Sequence, residues 1–496
     1  MSGRTRSNDW AILGFRRSRE LTHSTPDLQQ VIIHAENAFD DPDEYFKNLS
    51  KLVAFKTESQ ISASLPILFD YLKRGVGPLF KELGYHIKIF ENPIIGAGPV
   101  MLAERNEGSQ FTVVGYGHGD VIHGQDGKWD NDRNPWRLSF EGNKVYGRGT
   151  VDNKGQHLAH LTALKSLIKM KNKLGFNHRF IIEMGEENGS RGFRKLVQNN
   201  LDYFSGDVFF ASDGPRTEIE RPNITLGNRG VLNFDLVCNL REGGHHSGNW
   251  GGLLSNPAII LANAISSIID SKGSLKVDGL MVKQIPENVK EALRGLKREG
   301  GPNSPEIDLT WGPTNRSSIE KATASNTFEV LNFSAGDPLH PVNAVPPFAK
   351  AACQIRFVMG TNLKDIIPIL RTHLDKFNFE IVEITDPSQS NSISFEASRT
   401  DPNSPFPQWA SSIISNVAKN ECGILPNSAG SNMTEVIQYD LDIPIVWLPL
   451  SYTGCSQHAP NEHMLKPLMR EGIALVTSIY FHLGEKSSQS FLKNRS

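Results

Sequence analysis

The chain has 496 residues, 38% of them hydrophobic and 21% charged, with a formal net charge of -2. That length exceeds one ordinary hydrophobic core, so at least two folded units are expected. The near-neutral balance excludes a protein drawn by charge to nucleic acid or an anionic membrane, and no apolar run approaches the roughly 20 residues that span a bilayer.

The first forty residues read as a leader segment. Arg4, Arg6, Arg16, Arg17 and Arg19 surround an apolar run at 10–15 that is interrupted too soon to be a secretory signal core, so a solvated leader is expected. From about Ile87 short apolar runs alternate with helical patterns, which predicts an α/β domain. Residues 111–116 read as a buried strand. Between 155 and 170, Leu158, Leu161, Leu164, Leu167 and Ile168 recur at helical spacing, the signature of a helix packed on a sheet. Strands follow at 180–184 and 207–211, with a helix from 191 to 197 between them, and the theme returns at 443–448.

From Asn223 to about Glu383 the texture changes. Partly alternating residues at 231–237 predict a strand, helices are predicted at 258–269 and 363–376, and a Pro/Gly-rich connector lies at 300–305. This reads as an α+β domain inserted into the first, giving a leader at 1–40, a first catalytic part at 41–223, an insert at 224–385 and a second catalytic part at 386–496. Cys238, Cys353, Cys422 and Cys455 are few and widely spaced, which fits reduced thiols in a cytoplasmic protein.

Polar residues cluster where apolar strands end. His118 and Asp120 lie in Gly117-His118-Gly119-Asp120, Asp152 follows Gly147-Arg148-Gly149, Glu186-Glu187 follows 180–184, Asp213 follows 207–211, and His458 follows 443–448. In open parallel sheets ligands collect at the carboxyl ends of strands, so residues scattered over the chain can meet in one crevice. Singly, each has an ordinary explanation: a chance His-x-Asp, an N-cap at Asp152, a solvated Glu-Glu turn, a turn aspartate, a surface histidine. Cys455, three residues before His458, is a further candidate ligand. Together, carboxylates and imidazoles at successive strand exits point to a catalytic metal site, with one glutamate free to move a proton.

These motifs resemble the co-catalytic dizinc family of aminoacylase, carnosinase-type dipeptidases, acetylornithine deacetylase and succinyl-diaminopimelate desuccinylase, over nearly the whole chain from about Asp41. The resemblance implies a zinc exopeptidase-like fold: a mixed, mostly parallel sheet flanked by helices, with the insert as a lid or dimerisation domain. It implies that His118 and Asp213 hold one divalent ion and Glu187 and His458 a second, with Asp152 bridging them. Zinc is the expected metal, with manganese or cobalt as alternatives. Glu186 would be the general base, Asp120 would support His118, and the Asp152–Asn153 peptide would be cis.

In the insert, His246-Ser247-Gly248-Asn249-Trp250-Gly251-Gly252 is similar to a family loop. By the same resemblance, His246 and Asn343 would reach the other subunit's site in a homodimer and stabilise an oxyanion, while Arg356 would bind the substrate carboxylate. Gly430 and Ser431 fit a loop that grips the same carboxylate, although Ala429-Gly430-Ser431-Asn432-Met433 departs from the common family pattern. The implied activity is hydrolysis of a peptide or N-acyl amide bond beside a free carboxylate, dipeptidase or carboxypeptidase ahead of N-acyl-amino-acid deacylase. A non-catalytic metal-binding protein on the same fold would need a broken ligand set, and none is seen.

Overall fold

The computed structural model describes residues 26–299, 305–337, 339–385 and 394–493. The basic stretch with its apolar run at 10–15 and most of the 300–305 connector lie outside the described residues. An eight-stranded sheet forms the larger body. Its strands lie in the order His86–Phe90, Val100–Arg105, Asn177–Glu183, Thr112–His118, Val208–Ala211, Ile445–Trp447, Asn223–Thr225 and Gly423–Leu425. Four of the seven neighbouring pairs are parallel, including the three at the centre. The expected mixed, mostly parallel sheet is therefore present.

Side-chain alternation builds a layer on each face of that sheet. Val113, Phe180, Ile182, Val208 and Phe210 join one core with the helices Lys154–Lys171 and Lys466–Leu483. Val114, Tyr116, Ile181, Phe209 and Ala211 join another with Phe193, Leu196, Val436 and Ile437 from two short helices. Because both faces are covered, the central strands read as nearly continuous apolar runs.

Residues 28–40, placed in the leader by sequence, form instead the helix Leu28–Asp40. Asp27 and Gln30 make a capping box at its start, and Val31, Ala35 and Phe39 sit in the main core at four-residue spacing. Only one stripe of this helix is apolar, so the basic composition upstream masked it.

A second, antiparallel sheet runs Thr327–Ala335, Phe348–Phe357, Gly230–Asn239 and Glu383–Ile384, and Ser394–Phe395 also pairs with Gly230–Asn239. It has its own core, in which Leu232, Phe234, Leu236, Ala351 and Ile355 meet Leu261, Ile268, Ile366 and Leu370 of the helices Pro257–Ile268 and Leu363–Lys376. Helices cover one face only, and the Thr327–Ala335 edge strand leaves Leu331 59% and Phe333 42% exposed. No helix among the described residues is long and apolar enough to cross a membrane.

Candidate metal centre

His118 ends the Thr112–His118 strand, Glu186 and Glu187 open the turn after Asn177–Glu183, and Asp213 lies two residues beyond Val208–Ala211. Three neighbouring parallel strands thus deliver four ligand-type side chains to one edge. Asp152 comes from the turn before the Lys154–Lys171 helix, where Asn153 occupies the cap position without a capping bond, so Asp152 does not serve as the N-cap. The Asp152–Asn153 peptide is cis. His458 arrives later than expected. Eleven residues beyond the Ile445–Trp447 strand, it sits in a loop that returns past a short strand and a single helical turn.

The glycines around His118 are required by packing. A Cβ on Gly117 would lie 2.5 Å from His157 Cβ, and one on Gly119 would lie 2.3 Å from the Tyr71 ring. His118 is therefore set between a helix and an aromatic wall that admit no larger neighbours.

Asp152 lies at the centre of the group. Its Oδ1 is 3.1 Å from His118 Nε2 and its Oδ2 is 2.9 Å from His458 Nε2. On one side Asp213 Oδ2 is 3.9 Å from His118 Nε2, and on the other Glu187 Oε2 is 3.1 Å from His458 Nε2. Ligand atoms of His118, Asp152 and Glu187 lie within 4.8 Å of one another.

The surroundings hold these groups in place. His118 Nδ1 donates to the Asp120 carbonyl at 3.0 Å, which leaves Nε2 as the ring nitrogen that faces the carboxylates and would bind a cation. The Asp120 carboxylate accepts from the backbone N–H groups of Glu186 at 3.3 Å and Glu187 at 3.1 Å. One aspartate thus orients an imidazole through its carbonyl and the glutamate pair through its side chain. Asn153 Nδ2 donates to Asp213 Oδ1 at 3.0 Å, and Gly214 N–H donates to the same oxygen at 2.7 Å.

Glu462, four residues after His458, is a further positioning residue that was given no role by sequence reasoning. Wholly buried, it pairs with Arg148 Nη1 at 2.8 Å. It also accepts from the N–H groups of Gly149, Val151 and Asp152. Glu462 thereby clamps the turn that presents Asp152. The available signal was the pair of charged residues in otherwise tight motifs, Arg148 between glycines and Glu462 after His458, but nothing in spacing joins residues so far apart.

The cluster has the electrostatics of a cation site. Among the described residues, Asp152, Glu186, Glu187 and Asp213 form no ion pair with lysine or arginine. His118 Nε2 and Glu187 Oε1 are buried with no hydrogen-bond partner, which is costly unless something positive sits between them. Burial, followed by the Asp152 charge, pushes Glu187 up to about 7, and burial raises Asp213. Burial also lifts Glu186 well above the ordinary carboxylate range, against the pull of His118. Hydrogen bonds to Asp152 and Glu187 raise His458 to about 11. Without metal the carboxylates therefore draw protons toward the imidazoles and one another, and divalent cations would replace those protons. The donor set fits two such ions.

A cavity of about 310 Å³ opens beside Asp152, Glu186, Asp213 and His458, and Gly430 and Ser431 line it. Arg356 Nη1 donates to Ser431 Oγ at 3.0 Å, so that arginine reaches the same wall from the second sheet. His246 and Asn343 do not line the cavity. They adjoin each other instead: the strand His245–His246 pairs with Ala344–Val345, and Ser247 N–H donates to the Asn343 carbonyl at 2.8 Å. Cys455 is also absent from the ligand group, and burial pushes its thiol up to about 12. The four cysteines are all free and buried.

A sequence profile described as peptidase family M20/M25/M40 matches residues 114–482, and the chain belongs to that family. It is 31% identical over 258 residues to Beta-Ala-His dipeptidase of Mus musculus, covering 49% of this chain and 52% of the relative. It is 27% identical to cysteinylglycine-S-conjugate dipeptidase of Corynebacterium striatum over 324 residues, 63% of this chain and 67% of that one. The chain spans about half the length of the Beta-Ala-His dipeptidases of mouse and human.

Among solved structures, an M20 family metallo-carboxypeptidase of Sulfolobus solfataricus matches with a TM-score of 0.75 and 25% identity, over 89% of this chain and 99% of that chain. Human carnosine dipeptidase 1 shares the fold with a TM-score of 0.73 and 22% identity, over 93% of this chain and all of the other.

Proposed function

We propose that the protein is a metal-dependent dipeptidase or carboxypeptidase that cleaves the peptide bond beside a free carboxylate. The observation that carries this reading is Asp152, shared between His118 with Asp213 on one side and His458 with Glu187 on the other, beside a cavity that is also lined by Ser431, to which Arg356 donates. Those five side chains would hold two divalent ions, zinc being the metal that imidazole and carboxylate donors favour. When bound, the ions polarise a carbonyl and make water a nucleophile near neutral pH.

The chain's own groups supply the rest. Glu186, which lines the cavity without being needed as a ligand, takes the proton of the attacking water on a carboxylate oxygen and returns it to the departing amine. Ser431 and Arg356 hold the substrate carboxylate, which fixes the scissile bond against Glu186. His246 and Asn343 of a second copy donate to the oxyanion. That assignment requires a homodimer, and the apolar edge strand Thr327–Ala335 is the surface on which it would pair. The free, buried cysteines suit a cytoplasmic enzyme.

A hydrolysis screen of metal-loaded protein over dipeptides and acylated amino acids, with a chelator control, tests the reading. Dipeptide cleavage lost on chelation and restored by zinc is the expected result. Cleavage of acylated amino acids alone would reassign the enzyme as a deacylase, and no metal-dependent turnover of either class would sink the proposal. For the assembly, sedimentation should give twice the chain mass, falling to one on Leu331→Asp with Phe333→Lys, and turnover should fall with it. A wild-type monomer with full activity would remove His246 and Asn343 from the mechanism.

A further inference from the structure

The charged side chains lining the cavity fall into two sets. Asp152, Glu186, Asp213 and His458 occupy the metal end, and the remainder are Arg216 and Arg298. Arg216 is already compensated, with Nη1 2.6 Å from Glu471 Oε2. Arg298 has no ion pair among the described residues. Its segment is nevertheless tied down on both sides. Lys297 N–H donates to Glu218 Oε1 at 3.2 Å, Glu299 N–H donates to the Thr217 carbonyl at 2.9 Å, and Leu296 packs in a small core with Ile319 and Leu425.

Two further guanidiniums brace the same wall. Arg229 donates to the Ala429 carbonyl from Nε at 3.2 Å and Nη2 at 3.1 Å, and Arg356 reaches Ser431. Neither forms an ion pair among the described residues. Burial, followed by repulsion from Arg356 and Arg298, holds Arg229 down to about 9. Glu329, the acidic group that acts on Arg229, is itself pushed up by burial. Among the described residues no carboxylate pairs with any of these three arginines; Arg229 is buried, Arg356 half-buried and Arg298 exposed, and together they present positive charge to an anion. In the functional reading above, one substrate carboxylate accounts for Arg356 with Ser431. Arg298 is left over.

Building on that reading, we propose that Arg298 is a specificity-determining residue that receives an acidic side chain, so that the preferred dipeptides end in glutamate or aspartate. The α-carboxylate rests on Ser431 and Arg356, and the side-chain carboxylate meets the Arg298 guanidinium across the cavity. A glutamine or leucine at that position would leave the guanidinium without its partner.

The test is kcat/KM for Ala-Glu, Ala-Asp, Ala-Gln, Ala-Leu and Ala-Lys with metal-loaded enzyme. One charge-assisted contact predicts that the better acidic substrate exceeds Ala-Gln by about 10- to 100-fold. Arg298→Ala should bring that ratio close to one, and Arg298→Glu should invert it in favour of Ala-Lys, with melting temperature as the control for folding. A wild-type enzyme that treats glutamate and glutamine alike, or a ratio unmoved by Arg298→Ala, overturns the proposal while leaving the dipeptidase reading intact. If no dipeptide is cleaved, the functional reading fails, and calorimetric binding of Ala-Glu against Ala-Gln to the wild type and Arg298→Ala decides this one. Equal affinities would overturn it.

Discussion

Glu186→Gln should abolish turnover while leaving the metal content and the fold of the protein unchanged. The loss expected for removing a general base is about 10²- to 10⁴-fold in kcat. Metal should remain because Glu186 is not needed to hold either ion. The glutamate turn should also remain, because Asp120 binds it through the backbone N–H groups of residues 186 and 187, which the substitution keeps. Kinetics and metal analysis on the same preparation separate the possible outcomes. A variant with two ions per chain and nearly normal kcat would remove Glu186 from the proton transfer. A variant that loses activity together with an ion would make Glu186 a ligand.

Glu462→Ala should be among the most damaging single changes outside the ligands. It leaves Arg148, itself 1% exposed, as an unpaired buried cation. Breaking a buried pair from one side costs about 3–5 kcal/mol. The three N–H groups of Gly149, Val151 and Asp152 lose their acceptor in the same step. Metal affinity should then fall about 10- to 100-fold, as for other groups that orient ligands without touching the ion. The pair Arg148→Met with Glu462→Leu separates the two effects. It removes the orphaned charge and should recover much of the stability in denaturant titration, but the Asp152 turn stays unclamped and metal affinity stays low. A single variant as stable as the wild type would show that Glu462 is not structural. A double variant with normal metal affinity would show that the clamp is not needed.

The strand exits were legible because they rest on local pattern. His118, Glu186, Glu187 and Asp213 each follow an apolar run whose length and composition declare a buried strand, and parallel topology brings such ends together. Asp152 was reached by its motif, and His458 was expected just after the 443–448 strand, whereas it lies beyond a further short strand and a helical turn. Contacts between residues distant in sequence left no periodic trace. The clamp between Glu462 and the 149–152 turn is one. The hold of Asn153 on Asp213 is another, and the arrival of Arg298 at the cavity is a third. The helix Leu28–Asp40 was missed for a different reason. Its apolar stripe is narrow, and the arginines preceding it gave the whole region the character of a leader.

The path of the chain through the site has a consequence for its birth on the ribosome. The strand His463–Leu465 pairs with Lys144–Tyr146, and the Lys466–Leu483 helix fills the main core beside Lys154–Lys171. A nascent polypeptide halted before residue 458 has neither the last imidazole nor the clamp on the Asp152 turn. The proposed metal centre is therefore incomplete until residues 458 and 462 have been made, and until the Lys466–Leu483 helix follows them the main core lacks the apolar surface that this helix supplies.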